Sequence, residues 1–132
     1  MTIDSGNVGE VILTVTPSDT AARFSIEVGE NYPEVLATAC MIREMERAAA
    51  KLMRPLLGPG QLSVGVRVEV GHVAPTPVGG IVTTRARFTG REGKLYWFEV
   101  WAEDTGGTIG KGRHARAIVD EARLLAAADT RR

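Results

Sequence analysis

The sequence predicts an α+β domain in which a curved antiparallel sheet of about five strands wraps around one long helix. Three observations carry that expectation. The stretch "TACMIREMERAAAKLM", Thr38 to Met53, repeats its apolar residues at helical spacing. The stretch "LSVGVRVEVGH" alternates at strand period, with Leu62, Val64, Val66, Val68 and Val70 on one face and Ser63, Gly65, Arg67 and Glu69 on the other. Beyond it, three strand-like segments are separated by "TGREG" and "EDTGG", both short turns of hairpin type.

Each element follows from local chemistry. Gly9 to Thr16 reads as a first strand, rich in β-branched residues and stopped by Pro17. In "GENYPEVLA", Pro33 suits a helix start and Thr38 suits an N-cap for the longer helix, so Tyr32 to Ala37 is expected to be a turn or lid. Pro55 and "LLGPG" end the helix. Residues 62–72, Gly80 to Phe88, Lys94 to Glu103 and Thr108 to Val119 then form a four-strand meander whose apolar face needs the helix as its cover. Leftover strand edges invite pairing with a second copy. The final stretch from Asp120 is expected to be a short helix or a frayed tail.

Composition narrows the function. The 132 residues are 44% hydrophobic and 24% charged, the profile of a single domain over residues 1–132. Sixteen basic residues balance sixteen acidic ones, which gives no reason to expect nucleic-acid binding. Cys40 has no intrachain partner, and no signal-type start or membrane-length apolar run is visible, so a cytoplasmic protein with no membrane association is expected. No paired His/Cys spacing suggests a metal. "GGTIGKG" lacks the phosphate-loop order and no helix follows it.

One residue of the helix is out of place. With Met45 centred on the apolar stripe, Met41, Ala48, Ala49, Leu52 and Leu56 flank it, while Arg43, Glu44, Arg47, Lys51 and Arg54 lie opposite, on the side where Cys40 also falls. Glu46 sits at about 100° from Met45, beside Ile42, Ala49 and Ala50. It is either an edge carboxylate whose head reaches water or a carboxylate tucked under the sheet, where it needs a partner and can serve as base or nucleophile. Thr38 falls on the apolar side, where a helix N-terminus offers free N–H groups to an oxyanion. His72 has the parity of the apolar strand face and is either a satisfied core histidine or a proton carrier. His114, between Arg113 and Arg116 in sequence, is expected to be solvated or at an interface. Trp97, Phe98 and Trp101 read as core or interface residues.

Taken together, "YPEVLATACMIREMERAAAKLM", "VGVRVEVGHVAPTPVGG" and "GKGRHARAIV" resemble corresponding segments of the fluoroacetyl-CoA thioesterase family of hotdog-fold thioesterases, over roughly residues 7 to 120. The resemblance implies a hotdog fold, a homodimer with its active site at the interface, and a catalytic set of Thr38, Glu46 and His72. It places Gly65 and Arg116 in substrate-contacting positions. The fluoroacetyl-specific member has a lid richer in phenylalanine, and Tyr32 and Leu36 take the places of two such residues. The implied function is hydrolysis of a short or small acyl-CoA, with no cofactor beyond the coenzyme A of the substrate itself. Arg87, Arg91, Lys94, Lys111 and Arg113 offer phosphate contacts. The alternative is a non-catalytic acyl-CoA or acyl-carrier binding protein of the same fold.

Overall fold

The computed structural model describes residues 2–132. Strand β1 (Val8–Thr14) and two 3-10 turns (Pro17–Asp19 and Ala21–Phe24) precede helix α1 (Thr38–Met53), which a third such turn, Arg54–Leu56, closes. Strands β2 (Gln61–His72), β3 (Ile81–Glu92), β4 (Leu95–Asp104) and β5 (Gly107–Asp120) follow, and helix α2 (Glu121–Asp129) ends the chain, capped by the Asp120 carboxylate, which accepts from the Arg123 N–H. All five strands form one antiparallel sheet in the order β1-β3-β4-β5-β2.

The expected α+β architecture is present, but the four-strand meander is not. Only β3, β4 and β5 are joined as neighbours in sequence, through turns where Gly93 (φ 62°) and Gly107 (φ 120°) supply left-handed backbone. Strand β2 instead pairs with β5 at the far edge. Its connection to β3, "VAPTPVGG", contains two prolines and is too long for a hairpin. Eight residues span up to about 27 Å, enough to cross three strand spacings of about 5 Å each. β1 and β2 are therefore the two open edges of the sheet.

The face of β2 is also corrected. A β-bulge at Val66 interrupts the register between Gly65 and Arg67, and one extra residue reverses the alternation. Before the bulge, Ser63 and Gly65 face the helix, and Val64 and the half-exposed Val66 turn away. After it, Val70 and His72 point inward.

Helix α1 fills the hollow of the sheet. Met41, Met45, Ala48, Ala49 and Met53 are buried against Val82, Ala86, Phe88, Phe98, Val100 and Ile109. Each large apolar side chain so buried stabilises the fold by about 1.5–3 kcal/mol. The charged side of α1 is not all solvent-facing. Glu44 is 0% exposed and Cys40 is buried, because the segment around Asp19 folds over that flank. The Glu44 carboxylate accepts from Arg43 Nε at 3.0 Å and Arg47 Nη1 at 2.9 Å, and Arg43 Nη2 reaches Asp19 Oδ1 at 3.1 Å. Burial pushes the Cys40 thiol up, which agrees with an inert role.

Candidate functional site

Two groups of side chains stand along α1. The first is at its N-terminus. Thr38 is not the N-cap: Ala37 takes that place with extended backbone (φ −69°, ψ 143°), tied by its N–H to the Asp19 carbonyl at 2.9 Å. The Thr38 hydroxyl is thus free of a capping bond and lies 2.8 Å from His72 Nδ1. The other ring nitrogen, His72 Nε2, is buried and has no partner among the described residues. At the first turn, the N–H groups of Thr38 and Ala39 have no intrahelical acceptor, and the helix dipole adds partial positive charge there.

The second group is built around Glu46, eight residues further on the same helix. Its carboxylate is neither a plain surface charge nor fully buried: the side chain is 40% exposed, and Oε1 accepts from Arg116 Nη1 at 3.2 Å. Arg116 on β5 is 7% exposed. Its guanidinium also donates from Nε to Ser63 Oγ at 3.1 Å, from Nη2 to the Ser63 carbonyl at 2.9 Å, and from Nη1 to His114 Nε2 at 3.1 Å. Burial lowers the Arg116 pKa and Glu46 opposes that shift, yet an arginine stays charged in either case. Gly65 completes the seat, since a Cβ there would stand 2.5 Å from Glu46 Oε1.

His114 differs from its expected solvated role. It is 1% exposed, faces the helix beside Phe98, and its Nδ1 bonds the Arg67 carbonyl at 2.7 Å. Burial first, and the Arg116 charge second, hold its pKa below the ordinary 6.5. Ser63 and His114 are the participants in this group that the sequence reading missed, and Glu44 is a buried structural carboxylate that it placed on the polar side of the helix. The only prior sign was the Arg43 and Arg47 pair around Glu44, at helical spacing on one side.

The two groups do not meet within one chain. Eight residues of helix rise about 12 Å, and no hydrogen bond joins Thr38 or His72 to Glu46 among the described residues. Beside Glu46 lies an open cleft of about 280 Å³ lined by Ala39, Arg43, Glu46, Arg47, Ala50 and Arg116. The lid segment is tied down by bridges from Leu36 to Thr20 and from Val35 to Pro77. Leu36 is buried in the core, and Tyr32 is half exposed.

The cations suggested for phosphate binding lie elsewhere. Arg87 stacks on Trp101 and pairs with Glu99, and Arg113 stacks on Trp97 and pairs with Glu69. Arg91 stacks on Tyr96. Lys111 shares with Arg87 and Trp101 an open groove on the sheet of about 640 Å³. Among the described residues, no helix is long and apolar enough to cross a membrane.

Comparison with known proteins gives the family and the fold. A family model described as fluoroacetyl-CoA-specific thioesterase matches residues 15–122. The chain is similar to a fluoroacetyl-CoA thioesterase from Streptantibioticus cattleyicolor, with 37% identity over 88% of this chain and 87% of that protein. A solved fluoroacetyl-CoA thioesterase structure superposes with a TM-score of 0.94 at 32% identity, covering 100% of this chain and 99% of the other. A threonine-to-serine mutant solved in complex with acetyl-CoA gives a TM-score of 0.91 at 32% identity, over 98% of each chain. A Thermus thermophilus hypothetical protein of the thioesterase superfamily gives 0.87 at 30% identity, over 98% of this chain and 93% of that one. The fold is therefore hotdog.

Proposed function

The chain belongs to the fluoroacetyl-CoA-specific thioesterase family, and from that premise we propose that it hydrolyses a small acyl-CoA through Thr38, Glu46 and His72, drawn from two copies of the chain. The observation that carries the reading is the seating of Glu46. A carboxylate at the edge of a cleft, fixed by a buried arginine and a glycine, is held ready for chemistry.

In the direct route, Glu46 takes a proton from water as the water oxygen adds to the thioester carbonyl. The oxyanion forms against the free N–H groups at the start of α1 and the Thr38 hydroxyl. Collapse breaks the C–S bond, His72 gives its own proton to the departing thiolate, and the proton that Glu46 took from water returns to His72 to restore both groups. In the covalent route, Glu46 itself adds, coenzyme A leaves as the thiol, and water then cleaves the acyl-carboxylate anhydride. Rapid-quench mass spectrometry of the intact chain during a single turnover separates them: only the covalent route adds the mass of the acyl group to Glu46.

A homodimer reconciles these roles with the axial offset in one chain. Strand β2 has an open edge and carries the exposed Val66 and Val68. An isologous pair made through that edge sets the two α1 helices antiparallel, so an offset within one helix is cancelled by the reversed offset in the other. Glu46 of each copy then serves Thr38 and His72 of its mate. Tyr32 and Arg116 border the acyl pocket in this reading, and Gly65 leaves the room in which the Glu46 carboxylate sits as the acyl end approaches it.

The test is release of free coenzyme A thiol across a panel from acetyl- and fluoroacetyl-CoA to long-chain and aryl thioesters, with Glu46→Gln as control. Turnover concentrated on the small acyl groups and lost in Glu46→Gln is expected. A folded Glu46→Gln protein with most of its activity would sink the assignment. A folded parent that binds coenzyme A but turns over nothing would favour a binding protein.

A further inference from the structure

We propose that His114 is a positioning residue, whose Nε2 accepts a hydrogen bond from Arg116 and so holds the guanidinium against the Glu46 carboxylate. The inference rests on the reading of Glu46 as the reacting carboxylate, and it adds a residue with no contact to the cleft.

The geometry fixes the state of the ring. Arg116 has only donors to offer, and its Nη1 stands 3.1 Å from His114 Nε2. That nitrogen must therefore present its lone pair. The proton then sits on Nδ1, which donates to the Arg67 carbonyl at 2.7 Å. One neutral tautomer satisfies both bonds, and the other satisfies neither. Arg116 Nη1 carries two hydrogens, one directed to His114 and one to Glu46 Oε1 at 3.2 Å.

The anchor of the chain is the bulge in β2. Ser63 and the Arg67 carbonyl lie on either side of it, so a local irregularity supplies both the acceptors of Arg116 and the acceptor that orients His114. The groups facing the ring are the Arg67 carbonyl from β2, Arg116 on its own strand, Glu46 from α1 and the apolar Phe98 from β4. The Glu46 charge and the Arg67 carbonyl favour a second proton, but no carboxylate bonds either ring nitrogen, and burial outweighs both. Without the acceptor at Nε2, Arg116 keeps Ser63 but loses the bond that directs Nη1, and Glu46 is free to swing into the cleft.

Thiol release from acetyl- and fluoroacetyl-CoA by the purified full chain tests this with three variants. His114→Gln keeps an acceptor at the Nε2 position and should leave kcat within about threefold, whereas His114→Leu should lower kcat roughly ten- to a hundredfold with KM little changed. His114→Asn, whose carbonyl falls short of Arg116, should behave as His114→Leu and replaces it if the leucine variant does not fold. Full kcat in the folded leucine or asparagine variant would overturn the proposal, as would equal losses in all three. Long-range ¹⁵N spectra of the unsubstituted protein at neutral pH provide an independent measurement: the Nδ1–H tautomer is expected, and the Nε2–H form or an imidazolium would refute it. Retained activity in Glu46→Gln would instead sink the underlying catalytic reading and leave the tautomer result standing, so the two failures are distinguishable.

Discussion

Glu46 and Gly65 touch only because Gly65 has no side chain: a Cβ would stand 2.5 Å from the carboxylate oxygen and 3.2 Å from His114 Cε1. The atom in the way on Glu46 is the far end of a flexible side chain, so the protein can fold around an added methyl by turning Glu46 away from Arg116. Gly65→Ala should therefore lower kcat/KM by about tenfold or more while leaving the melting temperature nearly unchanged. Thermal unfolding beside steady-state kinetics checks this, and a cooperative collapse of stability would contradict it.

The Thr38 hydroxyl and His72 Nδ1 form a pair that serine can also make. Thr38→Ser is expected to keep activity within about an order of magnitude, and Thr38→Val, which preserves shape and removes the hydroxyl, to lose about 10²-fold or more in kcat. Equal activity in the two variants would remove Thr38 from the mechanism.

Mixing inactive variants tests the two-copy site. Glu46→Gln and Thr38→Val proteins, unfolded together and refolded at equal amounts, should recover roughly a quarter of the parental sites, because half the dimers are mixed and each has one intact site. No recovery would place both residues in the same copy.

His114 makes stability depend on pH in a defined direction. Its folded pKa is depressed below 6.5, by burial first and Arg116 second, so the unfolded chain takes up the proton before the native one does. The stability linked to neutral His114 is complete above about 6.5 and is lost as pH falls from there through the folded value. Chemical unfolding from pH 7.5 to 5 should show this decline, and His114→Gln should show a shallower one. Identical slopes would contradict the linkage.

The buried Glu44 is a structural counterpart to Glu46. It is bonded to Arg43 and Arg47, whose side chains are 45% and 57% exposed and can rehydrate. Glu44→Ala should cost about 2 kcal/mol, nearer the hydrogen-bond scale than that of a broken buried ion pair. Urea unfolding measures it.

By itself the sequence determined the helix, the strands and the partition of α1 into a methionine-alanine face and a polar face, because these depend on period and on local turn chemistry. The same periodicity marked Glu46 as out of place beside that face. Which strands pair was decided by tertiary structure, since β2 gains its partner from β5 across 38 to 59 residues of chain and nothing local specifies that choice. The inward faces of Ser63 and Gly65 were hidden for a related reason: alternation assumes an unbroken register, and one bulged residue reverses it. Likewise, Glu44 became buried only when the Asp19 segment closed over the helix, and His114 only when β5 lay between β4 and β2. A residue's position on its own element follows from sequence period, but what covers it depends on contacts that are distant in the chain.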